Sequence, residues 1–262
     1  MRVLTANTTT GNDQSYDDGE GIRMFQGLHP DVALVQEFNY RTGSDADIRS
    51  MVDAAFGPEF DYEREATGAG KLPNGVVSRY PIVDRGVFVD PLVSNRSFVW
   101  ARIDVPGAVD LFAVSLHLLT TSGTKRQQEA AALLADLAPL VPAGAMLVIG
   151  GDLNTDTRTE SCVATFAQIV DVSAPYPVDN RGNDLTNGPR NAPHDWLFPN
   201  APLRLRETPV VIGQDVFPPG LVFDSRVYTP LVDVAPVRLG DCDNTVDNIQ
   251  HMPVVKDFWL GP

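Results

Sequence analysis

Nine runs along the chain are rich in apolar, mostly β-forming residues, and most of them stop abruptly at a polar residue or a glycine. They are RVLTAN (2–7), DVALVQE (31–37), NGVVS (74–78), PIVDRGVFV (81–89), FVWARIDV (98–105), VDLFAVSLHLL (109–119), AMLVIGG (145–151), HDWLF (194–198) and MPVVKDFW (252–259). Several are apolar on both faces, the pattern of strands buried between two layers. The fifth and sixth runs are separated only by PGA, which reads as a hairpin. A period near 3.6 is clearest at Ala130, Leu133, Leu134 and Leu137 and predicts a helix over 124–137. Thr124 and Gln127 have capping-box spacing, and Pro139 ends the pattern. Two further helices are expected over 19–27 and 45–55. The Pro-, Asn- and Gly-rich segments 173–193 and 214–247 read as long loops, which in compact domains are often functional.

Many strands with few helices predict an α/β (α+β) fold in which mixed sheets pack together with helices outside. A purely parallel sheet would need more crossover helices. No long linker or fixed-period repeat divides the 262 residues, so a single domain over 1–262 is expected. No apolar stretch is long enough to span a bilayer, which predicts a soluble protein, and a monomer is expected. The chain opens directly on a strand pattern, so an export leader is either lacking or removed, and the compartment stays open. The net charge of −14 repels polyanions at long range. A nucleic-acid substrate would therefore require a bound cation and local arginines at the cleft. Cys162 and Cys242 are too far apart for a CxxC motif; one disulfide and two buried thiols are both compatible with the sequence.

The ends of the runs carry a coherent set of polar residues. Asn7 follows RVLTA, Glu37 follows DVALVQ, and His117 ends LFAVSL. Asp152 and Asn154 follow MLVIGG, Asp195 opens DWLF, and His251 precedes MPVV. Taken singly, an Asp or Asn after a strand is usually a turn former, and a histidine on an apolar run is usually a hydrogen-bonded core residue. Together, carboxylates and amides without a cysteine cluster suit a hard cation such as Mg2+, with Mn2+ or Ca2+ as alternatives. Asp152 could orient or deprotonate a water, His251 could face a phosphoryl oxygen or act as acid or base, and Asp195 could hold its imidazole. That inventory fits metal-assisted phosphoester hydrolysis. The acidic positions 241, 243 and 247 lack a calcium-loop spacing and read as a solvated turn, as does GNDQSYDDGEG (11–21).

The order of LTANT, DVALVQEF, NGVVSRYPI, FAVSLHL, VIGGDLNTD, HDWLF and QHMPVV along nearly the whole chain resembles the endonuclease/exonuclease/phosphatase superfamily. The resemblance implies a DNase-like four-layer α/β/β/α sandwich of two mixed β-sheets. It also implies Glu37 as the principal metal carboxylate with Asn7 beside it, and Asp152 as the residue that activates water. Asn154 would bind phosphate, His117 would stand near the leaving side, and Asp195 would buttress His251. Asn74 and Arg79 lie in the piece that borders the phosphate cleft. The implied reaction is cleavage of a phosphodiester, nucleic acid included. Smaller or lipidic phosphoesters and a non-catalytic binding module are the alternatives. One departure stands out: Ile249-Gln250-His251 occupies the place of the family's Ser-Asp-His.

Overall fold

A computed structural model describes residues 1–10, 19–66, 68, 70–245 and 248–261. The acidic residues 11–18 and Asp247 lie outside the described residues. In chain order the first elements are β1 (Arg2–Asn7), α1 (Glu20–Leu28), β2 (Val32–Gln36), α2 (Asp45–Ala55), β3 (Asp61–Arg64), β4 (Gly75–Ser78), β5 (Ile82–Phe88), β6 (Phe98–Ile103) and β7 (Leu111–His117). They are followed by α3 (Gly123–Leu137), β8 (Met146–Asp152), α4 (Ser161–Phe166), β9 (Asp195–Pro199), α5 (Ala201–Arg204), β10 (Glu207–Thr208), β11 (Val210–Ile212), β12 (Asp215–Phe217), β13 (Leu221–Val222) and β14 (Val254–Phe258).

The strands form two mixed sheets. One has the order β10-β14-β1-β2-β4-β3 with β13 also on β14; the other runs β5-β6-β7-β8-β9, and β11 and β12 make a separate hairpin. Only β1–β2 and β7–β8 pair in parallel among the strand pairs described. Alternation along the second sheet explains its layering. Ala113, Val148 and Leu197 point inward to a core shared with β1, β2 and β4. Their neighbours Phe112, Val114, Leu147, Ile149, Trp196 and Phe198 point outward, under Ala130, Leu133 and Leu137 of α3 and Cys162 and Phe166 of α4. Met24, Phe25 and Leu28 of α1 and Ile48, Met51 and Val52 of α2 cover the first sheet in the same way. The expected four-layer sandwich is therefore present.

Both glycines that end the β8 run are required by packing. A Cβ at Gly150 would meet side-chain carbons of Leu34 and Leu197 at 2.8 Å, because the two sheets touch there. A Cβ at Gly151 would fall 1.8 Å from the Leu116 carbonyl oxygen of the adjacent β7 strand.

Some expectations are corrected. Ser122, not Thr124, caps α3, accepting a hydrogen bond from the Lys125 amide, so the helix starts one residue earlier than its apolar pattern. The 214–247 segment is not a bare loop; it contains β12, β13 and a 3-10 turn at Leu231–Val234. Cys162 and Cys242 are both free buried thiols, and burial pushes the Cys162 thiol up to about 11. Asp241 pairs with Arg23 at 2.6 Å and Asp243 accepts from the Thr245 amide at 2.6 Å, so these carboxylates brace a turn. Among the described residues, no helix is long and apolar enough to cross a membrane.

Candidate active site

Strand direction brings the polar termini together. The parallel pairs β1–β2 and β7–β8 end at the same edge of the sandwich, while β9 and β14 begin there. His117 pairs in register with Asp152, and Asp152 with Asp195. Asn7 lies level with Gln36, beside Glu37.

Asp152 is the hub and is almost wholly buried, at 1% exposure. Asn7 Nδ2 donates to its Oδ2 at 2.9 Å and to Glu37 Oε1 at 3.3 Å. His117 Nε2 lies 3.3 Å from the same Oδ2, and His251 Nε2 lies 3.8 Å from it. The Asn154 amide donates to the other oxygen at 2.8 Å. Burial pushes the Asp152 carboxyl up, but His251, His117 and His194 and the Asn154 amide outweigh it and bring it down to about 2. Asp152 is thus ionised at neutral pH.

The two histidines on Asp152 are driven in opposite directions. Burial would lower His251, yet the Asp195, Asp152 and Glu37 carboxylates raise it to about 10. Asp195 holds its Nδ1 at 3.0 and 3.1 Å, which leaves Nε2 directed at Asp152. Asp195 itself is raised, chiefly by its own burial. His117 is lowered to about 3, first by burial and further by Arg96, against the pull of Asp152. Arg96 Nη1 stands 3.5 Å from His117 Nδ1. A guanidinium offers only donors, so Nδ1 must accept, and Nε2 carries the hydrogen that faces Asp152. His117 thus stands as a neutral donor to Asp152.

Three residues here adopt the left-handed backbone without being glycine: Thr9 (φ 59°), Glu37 (φ 54°) and Asn154 (φ 50°). The conformation is costly for a β-branched threonine or a glutamate, and such strain gathers at functional sites.

Seven of the nine expected residues meet here: Asn7, Glu37, His117, Asp152, Asn154, Asp195 and His251. Asn7 has the expected position but faces the carboxylates with its nitrogen. Its Oδ1 accepts from the Thr9 amide at 2.8 Å, while its Nδ2 ties Glu37 to Asp152. Asn154 Nδ2 donates to Leu118 O at 2.9 Å, so a phosphate contact would use that amide's second hydrogen. Asn74 is buried one strand further out, where its Nδ2 donates to Ser97 O at 2.5 Å. With Glu65, which accepts from the Ser97 amide, it secures the segment that carries Arg96. Arg79 is not brought to the site. Because β4 runs antiparallel to β2, Arg79 sits beside Asp31 at the opposite end of that strand from Glu37, with its side chain 60% exposed.

Two residues at the site escaped the sequence reading. Arg96 is 5% exposed, and its Nε has no hydrogen-bond partner among the described residues. It stands before β6 with no flanking motif. His194 contributes to the field at Asp152, and its ring centroid lies 5.9 Å from that of His251. Its only signal in the sequence is adjacency to Asp195.

A model of the Endonuclease/Exonuclease/phosphatase family matches residues 22–230. The chain belongs to that family. The family comprises divalent-metal-dependent phosphoesterases, and the fold of this member recurs across solved structures of different activity. An endonuclease/exonuclease/phosphatase from Beutenbergia cavernae is 20% identical with a TM-score of 0.64, covering 100% of this chain and 72% of that one. A mannosyl-6-phosphatase from Bacteroides thetaiotaomicron is 15% identical with a TM-score of 0.64, covering 99% of both chains. Sphingomyelinase C from Streptomyces griseocarneus is 15% identical with a TM-score of 0.58, covering 98% of both. At these identities the likeness establishes the fold alone. No curated protein matches the sequence.

Proposed function

We propose that the chain, acting as one catalytic domain, is a divalent-metal-dependent phosphoester hydrolase that cleaves phosphodiesters by in-line attack of water. The observation that carries this reading is the pairing at one buried carboxylate: Asp152, ionised, stands between a protonated His251 and a neutral His117. An anionic acceptor beside a cationic donor is what attack on a phosphorus centre needs.

Asp152 accepts the proton of the attacking water. His251, charged and clamped by Asp195, faces the non-bridging phosphoryl oxygens, where negative charge accumulates. His117 donates from Nε2 and keeps Asp152 in place without competing for the proton. Asn7 ties Glu37 to Asp152 through one amide nitrogen, and two carboxylates joined in this way suit a hard cation with oxygen ligands. Glu37 would hold that cation, Mg2+ first, and when bound it supplies charge neutralisation and polarisation of the P–O bond. A compact phosphomonoester is the second reading, favoured by the net charge of −14, which repels long polyanions.

The test is a panel of plasmid DNA, RNA, a bis-aryl phosphodiester and an aryl phosphomonoester, each with Mg2+ and with EDTA. Diester cleavage abolished by EDTA and by Asp152→Asn is the expected result. Turnover confined to the monoester would favour the second reading. Turnover that survives EDTA, or none on any substrate, would overturn the assignment.

A further inference from the structure

The segment 173–193, which its composition marks as a long functional loop, has no part in the mechanism above, yet it ends against the active edge. Asp195 and His251 meet from different sheets: Asp195 opens β9 in one, and His251 precedes β14 in the other. Among the described residues, no backbone hydrogen bond joins 194–196 directly to 250–252. One buried residue of the loop joins them indirectly. Thr186 Oγ1 accepts from the Asp195 amide at 2.7 Å, and the Thr186 carbonyl accepts from the Met252 amide at 2.7 Å. Asn187, the next residue, forms an isolated antiparallel bridge with His251. The loop is itself fixed. Arg190, left-handed at φ 58°, donates to the Leu185 carbonyl at 2.6 Å and to the buried carboxylates of Asp224 and Asp179 at 2.5 and 2.8 Å. On the other flank of His251, the Gln250 amide donates to Thr9 Oγ1 at 3.0 Å.

We propose that Thr186 is a positioning residue of the reaction: its hydroxyl and its carbonyl together set the place of Asp195 against His251 across the two sheets. The inference deepens the proposed function and rests on it for what His251 does. The hydroxyl is the part that substitution can remove. Valine has the same shape but offers the buried Asp195 amide no acceptor, so the start of β9 must shift to find another partner. A displacement of about 1 Å at such a pair costs up to roughly 100-fold in rate. Thr186 is buried and so does not touch substrate, and the loss therefore falls on kcat and leaves KM in place.

Thr186→Val and Thr186→Ser are compared with native protein on the bis-aryl phosphodiester with Mg2+, and kcat and KM are measured separately. Proton NMR in EDTA follows the far-downfield Nδ1–H signal of His251, assigned by its loss in His251→Ala. That hydrogen lies between Nδ1 and the Asp195 carboxylate, at 3.0 Å in the native site, so its shift reports their separation. Thr186→Val should lose about tenfold or more in kcat at unchanged KM, while Thr186→Ser should stay within about twofold of native. The His251 signal should move or broaden in Thr186→Val and hold its place in Thr186→Ser. Circular dichroism confirms the fold of each variant. If Thr186→Val does not fold, Thr186→Cys, whose sulfur is a weak acceptor, replaces it with the same expectations. Native kcat with an unmoved signal in the folded variant would overturn the proposal, and so would equal impairment of Thr186→Val and Thr186→Ser. The phosphoester panel on the same preparations separates this proposal from the function. Mg2+-dependent turnover and a His251 signal both indifferent to Thr186 refute the positioning role and leave the function standing. A signal that moves in Thr186→Val alone, in a protein that turns over no phosphoester, refutes the function and leaves Thr186 as the residue that sets the pair.

Discussion

Replacing Asp195 by asparagine removes one charge from the site while keeping its shape, since the new amide oxygen can still accept from His251 Nδ1. The carboxylate oxygens stand 3.0 and 3.1 Å from that nitrogen. Two unit charges about 3 Å apart at an effective dielectric near 20 attract by roughly 5 kcal/mol. That corresponds to about four pKa units. His251, raised to about 10 in the native site, should therefore fall to the ordinary histidine range in Asp195→Asn. At pH 8 the native ring carries its proton, and the variant ring does not. Titration of the imidazole resonances in EDTA gives the pKa directly, and hydrolysis followed against pH shows its effect. On the proposed function, hydrolysis by the native protein should persist to beyond pH 9, whereas that of the variant should be lost as pH rises through about 7. The stability linkage has the same sign. A histidine with a raised folded pKa contributes fully below its unfolded value near 6.5, and that contribution is lost as pH climbs to about 10. The melting-temperature gap between native and variant should therefore shrink from pH 6 to pH 10. A variant whose His251 still titrates near 10 would refute the electrostatic account. So would a gap that does not change with pH.

Two further predictions concern groups that support the site. Gly151→Ala would set a Cβ against the Leu116 carbonyl between β7 and β8, so it should cost more than about 3 kcal/mol in urea unfolding; a loss under about 1 kcal/mol would show that the strands can part there. Glu129 is buried on α3 and accepts from the Leu119 amide; burial, with a further push from Asp90, raises its carboxyl to about 8. An acid raised in the fold favours the fold below its unfolded pKa near 4.5 and loses that contribution as pH rises to about 8. Glu129→Gln should thus gain melting temperature relative to native at pH 8.5 but not at pH 4.5, and an equal difference at both would count against a buried proton there.

Much of this architecture is legible in the sequence because its strands are buried on both sides. Runs such as LFAVSLH and MLVIGGD need no partner to be recognised, and their ends name the chemistry. Strands that depend on a partner are not legible. DYER of β3 is half-buried with no period-two contrast, and β10 and β13 are two-residue stretches defined by pairing, β10 with β14 and β13 with β14 and Val178. The same dependence explains the misplacement of Arg79. A polar residue beside a strand looks alike at either end, and only the antiparallel pairing of β4 with β2 decides which end is the active one. Asn7 shows a finer limit. Its position follows from β1, but which amide atom faces the site is decided by the Thr9 amide, held on a left-handed threonine.

The departures from local preference converge on one edge of the sandwich. Gly150 and Gly151 weaken β8 as an isolated strand, yet they let Leu34 and the β7 backbone approach closely enough to bring Asp152 level with His117. Thr9 and Glu37 each accept a left-handed backbone that β-branched and long side chains avoid, Asn154 shares it at lower cost, and each is attached to the Asp152 cluster by a hydrogen bond. Local strain of order 1–3 kcal/mol at such a position persists only where the surroundings over-determine it. These three left-handed residues, joined through Asn7 and Asp152, are held by two sheets, so relaxing one would displace a neighbour on the other. The consequence is preorganisation: the amide that aligns Glu37 with Asp152 is fixed before any cation or phosphate arrives. A sequence reading that looks only for good strands and good turns scores these positions as defects. They are the places where the fold's stability is given over to holding charge in position.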